Sequence, residues 1–421
     1  MSYSVRRSSR RVRRCVSAQP VSPRREDEVW TSRPLLNPST IALIGASDDK
    51  SRLGGLVLNN LLKEFEGAIT PVNPNRSEVQ GVPAVSSIAS IDYVPDLAVI
   101  ASPAKTVVPA VQDCIERGVK GLIVISSGFA ETGEEGRVLQ DELVRMTTAA
   151  GVPMVGPDCV GVISLPSKMR ASFVRLMGIP MRAGATAVVS QSGAVGLSLF
   201  EQAQLCGVGS SYLATTGNEA GVTCAQLIEH VIDDDDVNVV LAYLEGIRDP
   251  DRLLAAGLRS AELGKPIVAL KVGSSVSGGK AAVSHTGAMA VPDAMVDALL
   301  DRAGIIRVHS IRQMMDYAKA FAPGTRIGGK KTVILTGSGG TGVMMADAAE
   351  SAGLDLAAPS PVLRPTLERL VPAIGSIANP HRPHRTDHQR AGELRSSGPC
   401  GHGRARVRRC RHGQRLPCPG N

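Results

Sequence analysis

Short runs of apolar residues alternate along the chain with longer amphipathic stretches. The run "TIALIGA", Thr40–Ala46, is almost continuously apolar and predicts a buried strand, whereas apolar residues over 54–65 recur at helical spacing. The same alternation recurs over 97–118 and 121–151. Nearly continuous apolar strands are typical of a parallel sheet that helices cover on both faces. The pattern therefore predicts an α/β protein built from parallel, doubly wound sheets.

This strand-and-helix pattern starts three times along the chain. The second start is "ATAVVSQSG", which begins at Ala185, and the third is "KKTVILTGSGGTG", which begins at Lys330. Regular patterning stops near Asn379, so the third repeat is short. The predicted organisation is a disordered basic extension, a first domain, a second domain, an incomplete third domain and a disordered tail, over residues 1–36, 37–170, 182–322, 328–380 and 381–421.

Composition agrees with a globular protein, because 43% of the residues are hydrophobic and 20% are charged. The net charge of +8 comes from the two ends, since residues 1–34 hold nine arginines against three acidic residues and residues 381–421 hold ten against two. The chain between them, 35–380, carries 28 basic and 34 acidic residues. A nucleic-acid partner is therefore not expected for the folded part.

The two ends have unusual compositions. Residues 1–25 are rich in arginine and serine, as in organelle transit peptides, and a disordered extension is the favoured interpretation. Residues 381–421 hold five of the eight histidines and resemble GC-rich DNA translated out of frame. Zinc binding there is not expected, because the cysteine and histidine spacing fits no known finger, and no metal site is predicted. The central cysteines show no pairing pattern and no apolar run reaches about 18 residues, so a cytoplasmic protein outside the membrane is expected.

Two glycine-rich loops join a predicted strand to a predicted helix. The first is "SQSGAVG", Ser190–Gly196, and the second is "GSGGTG", Gly337–Gly342. Backbone amides at such a helix start bind anions, and a phosphoryl group is one candidate. The second loop also matches the dinucleotide pattern GxGxxG, with Asp355 at a suitable distance. We set an oxidoreductase aside, since no hydride-transfer residues accompany a lone match.

An isolated histidine lies in the small-residue segment "KAAVSHTGAMA". His285 has no metal-ligating neighbour in the sequence, and a neutral imidazole is a competent nucleophile toward phosphorus. Such a residue needs an acceptor that fixes its tautomer and donors for the phosphoryl oxygens. Glu245, at a predicted strand end, is the candidate acceptor, and the two glycine-rich loops are the candidate donors. The alternative is a loop histidine without catalytic function.

From about Asn37 to Asn379 the chain resembles the α subunit of the ADP-forming acetyl-CoA synthetases, in the succinyl-CoA synthetase superfamily. The segments that carry the resemblance stand in the order of that family: "IALIGAS", "PVNPN", "GPDCVG", "SQSGAVG", "TTGNEAG", "YLEGIRD", "KVGSSVSGGKAAVSHTGA" and "GSGGTGV". The resemblance implies a Rossmann-like CoA-binding domain over 37–170, followed by flavodoxin-like ligase domains over 182–322 and 328–380.

The resemblance also implies a reaction, in which acyl-CoA, ADP and phosphate are interconverted with a carboxylate, ATP and CoA through a phosphohistidine. His285 matches the phosphorylated residue and Glu245 the carboxylate that steadies it. The residues that match the phosphate-binding helix starts are Ser190, Ser192, Gly193, Gly339 and Gly340. The residues that match the CoA site are Gly45, Ala46, Ser47, Asn73, Pro74 and Pro103. The implied ligands are CoA, and ADP or ATP with Mg²⁺ on a partner.

Some features depart from the family pattern. Asp158 stands where asparagine is usual, and Gly221 replaces a common acidic residue. The chain holds no ATP-grasp domain, so a β subunit or domain in a hetero-oligomer is the expected partner, with acetate or another small carboxylate as substrate. A truncated, catalytically incomplete CoA-binding protein is the alternative. A lysine acetyltransferase is disfavoured, because no acetyltransferase domain is present. The acyl group and the choice between ADP and GDP stay open.

Overall fold

The structure is a computed structural model that divides into two compact units, Met1–Thr325 and Arg326–Asn421. It describes residues 33–175, 181–275, 277–278, 291–371 and 375–380. The predicted basic extension up to residue 32, the histidine-bearing segment 279–290 and the tail 381–421 lie outside the described residues.

A five-stranded parallel sheet forms the first part of the first unit. Its strands and an intervening hairpin are β1 Thr40–Ile44, β2 Ala68–Val72, β3 Glu78–Val79, β4 Val82–Pro83, β5 Leu97–Ile100, β6 Gly121–Val124 and β7 Met154–Val155. The helices are α1 Arg33–Leu36, α2 Leu53–Glu64, α3 Ala104–Arg117 and α4 Glu134–Ala150. The strand order is β2-β1-β5-β6-β7, with the β3–β4 hairpin outside the sheet. Helices cover this sheet, so its central strands are fully buried, as their continuous apolar runs predicted.

A seven-stranded sheet forms the second part of the same unit. Its strands are β8 Gly161–Ser164, β9 Met169–Ser172, β10 Ala183–Ser190, β11 Ser210–Thr215, β12 Val239–Leu244, β13 Ile267–Lys271 and β14 Ile306–Val308. The described helices are α5 Gly193–Leu205, α6 Cys224–Ile232, α7 Pro250–Leu263, α8 Asp293–Ala303 and α9 Ile311–Phe321. The order is β14-β13-β12-β10-β11-β8-β9, and β10 to β14 are mutually parallel. The predicted α/β class with parallel sheets is confirmed.

The β8–β9 hairpin belongs to the second sheet, although all but its last two residues lie within the range 37–170 predicted for the first domain. β8 pairs with β11 in antiparallel fashion, Ile163 opposite Leu213, and so extends the parallel strands by an antiparallel edge. The predicted pattern assigned no strand to residues 161–172, whose pairing partner β11 is distant in the sequence. Helix α2 packs on this hairpin, and one continuous apolar core includes residues from both sheets.

A buried asparagine fastens α2 to the hairpin. The Asn60 side-chain amide nitrogen donates to the carbonyl oxygens of Ser172 at 2.8 Å and Val174 at 2.9 Å. Asn60 is 6% exposed, so water cannot replace these two bonds if they are lost. A carbonyl left buried without a donor costs about 1–3 kcal/mol.

We therefore expect Asn60→Ala to lower the free energy of unfolding by roughly 2–4 kcal/mol, because two buried acceptors lose their donor. Chemical denaturation followed by circular dichroism measures this change. Asn75→Ala is the matched control, since Asn75 is exposed, and it should change stability by less than about 0.5 kcal/mol. Equal stability of the two variants would contradict the anchoring role of Asn60.

The second unit holds two described helices, α10 Gly339–Ser351 and α11 Arg364–Leu370. The strand that the apolar run near 331–337 predicts is not formed as a ladder. The described residues show there only isolated bridges, at Lys331, which pairs with Asp355, and at Leu335. Val333 and Leu335 remain 57% and 47% exposed. A parallel strand is stabilised by neighbours on its edges, and isolated bridges are too little pairing to define one.

Candidate functional site

The carboxyl edge of the first sheet brings together the residues predicted to bind CoA. Gly45 ends β1 with a φ of +84°, and a Cβ atom there would lie 2.7 Å from the Ala101 carbonyl oxygen. Only glycine fits such a turn without strain. The Asn73 side-chain amide donates to the Ala46 carbonyl at 2.8 Å, and Pro103 precedes the first residue of α3. Gly45, Ala46, Asn73 and Pro103 thus lie at the ends of adjacent strands.

The turn after β1 is held from the β3–β4 hairpin. The Gln80 side-chain amide donates to the carbonyl oxygens of Ser47 and Gly55, each at 2.8 Å. Its backbone N–H also donates to the Asp48 carboxylate at 2.8 Å. A loop at the carboxyl end of parallel strands is where α/β proteins bind ligands, and these bonds give the loop a defined shape before any ligand arrives.

The second predicted anion site lies at the carboxyl end of β10. Ser190 is its last residue, and the hydroxyl donates to the Ser192 carbonyl at 2.6 Å. Ser192 caps α5, where its side-chain oxygen accepts from the Val195 N–H at 3.3 Å. The first amides of an α-helix have no acceptor within the helix, and the helix dipole is positive at this end. Gly193 begins α5, and a Cβ there would lie 2.2 Å from the Val160 side chain.

The structure places Glu245 beside this helix start. Gln191, between the two serines, accepts hydrogen bonds at its side-chain oxygen from the backbone N–H groups of Glu245 at 2.5 Å and Gly246 at 2.9 Å. Its own backbone N–H donates to the Tyr243 carbonyl at 3.1 Å. The serine-rich loop and the predicted orienting carboxylate, which are 53 residues apart in the sequence, are therefore neighbours at one sheet edge.

Charged and polar groups surround the Glu245 carboxylate. Burial raises the pKa of Tyr243 to about 12, and the neighbouring Glu245 carboxylate adds to the shift by its charge and by a hydrogen bond. Burial also lowers the pKa of Lys271, at the end of β13, and the Arg307 guanidinium acts in the same direction. This partly buried edge therefore holds charges of both signs close together.

Loops from both sheets meet between the two candidate sites. The Asn218 N–H donates to the Pro157 carbonyl at 2.9 Å, and its side-chain amide donates to the Gln140 side chain at 3.0 Å. The Val222 N–H donates to the Met154 carbonyl at 2.8 Å, so residues 218–222 run beside β7. A Cβ at Gly221 would lie 2.3 Å from the Met154 carbonyl oxygen, which accounts for glycine at this position.

Asp158, the other departure from the family pattern, lies in the same junction. It adopts a φ of +55°, a conformation that aspartate and asparagine tolerate better than most residues, and its N–H donates to the Ser126 carbonyl at 3.0 Å. The replacement of asparagine by aspartate therefore preserves the backbone of this turn while it adds a charge.

Three predicted site residues lie outside the described part of the first unit. His285 lies outside the described residues. Gly339 and Gly340 begin α10 in the second unit, where Ser338 caps the helix by accepting from the Thr341 N–H at 3.5 Å. A Cβ at Gly340 would meet nothing within 4 Å, so this helix start is open.

Comparison with known proteins adds a family to this geometry. Residues 39–164 match the model of a CoA binding domain, and residues 183–321 match that of a succinyl-CoA ligase like flavodoxin domain. The α subunit of acetate–CoA ligase [ADP-forming] II from Pyrococcus furiosus is 36% identical over 345 residues, which cover 82% of this chain and 74% of that subunit. The chain belongs to the ADP-forming acetate–CoA ligase family.

Other members of the ADP-forming ligase family are similar over the same region. The 4-hydroxybutyrate–CoA ligase [ADP-forming] of Nitrosopumilus maritimus is 33% identical over 83% of this chain, which spans 50% of that protein. The dinucleotide forming acetyl-coenzyme A synthetase 1 of Candidatus Korarchaeum cryptofilum, solved with phosphate and ADP, superposes with a TM-score of 0.78 and 31% identity. That match covers 84% of this chain and 76% of the solved chain. The family includes both separate α subunits and chains twice as long as the shared region.

The sequence did not single out two side chains that organise this ligase-family site. Gln191 joins the loop after β10 to the turn after β12, and Glu219 accepts hydrogen bonds from the Gln191 side chain and from the Cys224 N–H. Both lie inside segments that carry the resemblance, but their neighbours there are small residues. The sequence signal that could have identified them is that Gln191 and Glu219 each stand in a loop of mostly small, uncharged residues.

In the described parts of the chain, no three His, Cys, Asp or Glu side chains lie close enough together to hold a metal ion. No described helix is long and apolar enough to cross a membrane. Three described cysteines are buried, and burial raises the pKa of Cys114 and of Cys159 to about 12 each and that of Cys224 well above its usual value.

We expect these three thiols to resist alkylation in the native ligase-family fold, because a buried thiol with a raised pKa supplies almost no thiolate. Cys206 is exposed and should react within minutes. Iodoacetamide treatment at pH 8, followed by peptide mass spectrometry, measures each site separately. Full reaction after unfolding in guanidinium chloride is the control, and native alkylation of Cys159 at the rate of Cys206 would contradict the fold.

Proposed function

We propose that this chain is the α component of an ADP-forming acyl-CoA ligase that works through a phosphohistidine at His285. The observation that supports the proposal is that the Gln191 side chain accepts from the Glu245 backbone N–H, so Glu245 lies at the sheet edge where α5 begins. The loops after β1, β2 and β5 supply a CoA site on the neighbouring sheet. The family membership supports the same reaction class.

The first step makes an acyl phosphate. A phosphate oxygen attacks the thioester carbonyl carbon of acyl-CoA, the C–S bond breaks and CoA leaves as the thiolate. Ser190, Ser192 and Gly193 hold the phosphate at the positive end of α5, where backbone amides meet its charge without reorganisation. CoA is held by the residues at the carboxyl ends of β1, β2 and β5, where the tight turn at Gly45 lets backbone groups approach the ligand closely: Gly45, Ala46, Ser47, Asn73, Pro74 and Pro103.

The second step moves the phosphoryl group to the imidazole. A ring nitrogen of His285 attacks phosphorus, the bond to the acyl oxygen breaks and the carboxylate leaves. Glu245 accepts from the other ring nitrogen and so favours the tautomer with a free attacking nitrogen. The start of α10, at Gly339 and Gly340, is the second anion-binding helix end of the proposal. The phosphohistidine then passes its group to ADP.

The final transfer requires a nucleotide site, which we assign to a partner and not to the described residues of this chain. We propose an ATP-grasp subunit or domain as the partner, which would hold ADP and Mg²⁺ in a hetero-oligomer. Acetate is the proposed carboxylate, by analogy with the P. furiosus ligase, and 4-hydroxybutyrate is the competitor that the N. maritimus ligase suggests. Parallel assays with acetyl-CoA and 4-hydroxybutyryl-CoA decide between them.

The test supplies the substrates of the first two steps and withholds ADP, so that the phosphorylated chain accumulates. The chain, mixed with an ATP-grasp subunit encoded in the same genome, is incubated with acetyl-CoA and ³²P-labelled phosphate. We expect a radioactive chain whose label is lost in acid and kept in base, together with one free CoA thiol per labelled chain. CoA binding without any label would support instead a CoA-binding protein that lacks catalysis.

A further inference from the structure

Glu219 is a buried carboxylate to which the proposed phosphoryl transfer assigns no function. It is 5% exposed and has a φ of +53°, so its backbone is held in a conformation that glutamate rarely adopts. The carboxylate accepts from the Cys224 N–H at the start of α6 and from the Gln191 side-chain amide, and the Arg248 guanidinium lies 3.5 Å away. A buried carboxylate costs free energy unless several groups bond to it or balance its charge, and Cys224, Gln191 and Arg248 do so here.

Gln191 has all of its side-chain hydrogen-bonding capacity in use. Its amide nitrogen donates to Glu219 and to the Gly246 carbonyl at 2.9 Å, and its oxygen accepts from the N–H groups of Glu245 and Gly246. A side-chain amide has two N–H donors and one oxygen that can accept two hydrogen bonds. If the amide were flipped, it could not satisfy all four of these partners. In its ionised form Glu219 can only accept, and together with the backbone groups of residues 245 and 246 it fixes the orientation of the Gln191 amide.

We propose that Glu219, acting through Gln191, positions Glu245 for phosphoryl transfer. Both side chains are positioning residues in this scheme, because neither touches the reacting atoms. The inference rests on the proposed function, since it concerns the same carboxylate. Its physical basis is that the Gln191 amide anchors the Glu245 backbone, and that Glu219 is the charged group among the four partners that together fix the orientation of this amide.

The isosteric variant Glu219→Gln isolates this effect. A glutamine at position 219 keeps the volume and can still accept from the Cys224 N–H, but its NH₂ group faces the NH₂ group of Gln191. One amide must then turn. If Gln191 turns, its NH₂ group meets the N–H groups of residues 245 and 246, two donors without an acceptor, and the turn is released.

We expect Glu219→Gln to lower the maximal rate of acid-labile phosphoryl labelling at least 10-fold. The acetyl-CoA concentration that gives half-maximal labelling should stay within twofold, because the CoA loops are untouched. Hydrogen exchange at the amides of residues 245 and 246 should rise at least 10-fold. Glu262→Gln is the matched control, since Glu262 is exposed and pairs with Arg259 on α7, and it should leave all three quantities within twofold.

A double-mutant cycle tests whether the effect passes through the amide. Gln191→Met removes the bridge at similar volume and should match Glu219→Gln in labelling rate and exchange. If Glu219 acts through Gln191, adding Glu219→Gln to Gln191→Met causes no further loss, whereas two independent structural defects would multiply. Multiplying defects, or a Glu219→Gln rate within twofold of wild type, would overturn the inference. An unlabelled wild-type chain would instead overturn the proposed function, and the inference with it.

Discussion

His285→Asn should abolish phosphoryl labelling from acetyl-CoA and phosphate, with a loss of roughly 100-fold or more, as expected when a nucleophile is removed. Asparagine can occupy the space and form hydrogen bonds but cannot carry a phosphoryl group. CoA binding should remain within twofold, because the proposed CoA residues lie at the edge of the other sheet. Quantitative autoradiography of the chain, with CoA titration in parallel, measures both quantities.

The matched control for this variant is His309→Asn. His309 lies in the same domain, is exposed and precedes α9, so its replacement should leave the labelling unchanged. Label that persists in His285→Asn with the same lability to acid would show that another residue carries the group. Label that disappears in both variants would point to a general defect of the second domain.

Gly54→Ala should destabilise the first domain and weaken CoA binding together. A Cβ atom at position 54 would lie 1.9 Å from the Gly45 carbonyl oxygen, a backbone atom that cannot rotate away. Helix α2 must therefore move from the turn after β1, at a cost of about 3 kcal/mol, the upper part of the usual range for overpacking. The displaced turn is the proposed CoA loop, so we expect the Kd for CoA to rise at least 10-fold.

Gly151→Ala is the control for Gly54→Ala, because it adds backbone strain at a glycine without a collision with the turn after β1. Gly151 ends α4 with a φ of +64°, and a Cβ there would meet nothing within 4 Å. The left-handed conformation alone should cost about 1–2 kcal/mol, with CoA binding within twofold of wild type. Denaturation and calorimetric titration of both variants give the comparison. Equal CoA affinities in the two variants would contradict a CoA site built on the β1–α2 turn.

Local patterns were sufficient for the secondary structure of the first unit. Strands such as β5 and β12 are uniformly apolar because helices cover both faces, and this pattern is visible in the sequence without any structure. Small residues at the ends of β1 and β10 marked the helix starts, because tight turns and helix caps have specific residue requirements. The segments around Gly45 and Ser190 were therefore predictable as tight turns that lead into helices, whereas the CoA role of the Gly45 segment was implied by the family resemblance.

Local patterns were insufficient where a segment depends on its neighbours. The β8–β9 hairpin completes the second sheet, and the strand expected before α10 forms only isolated bridges. In both cases the available pairing partners, and not the apolar run, decide whether a strand forms. The placement of His285 and the proposed domain boundaries stay predictions.

The sequence by itself determined the α/β class, the order of the elements and the residue types available for chemistry, since these follow from periodicity and from turn and cap preferences. Only the tertiary structure decided that Gln191 joins Glu219 to the turn at Glu245. These residues are distant in the sequence and meet because parallel strands end at one edge. Their hydrogen bonds depend on three-dimensional distance and burial, which no local pattern encodes.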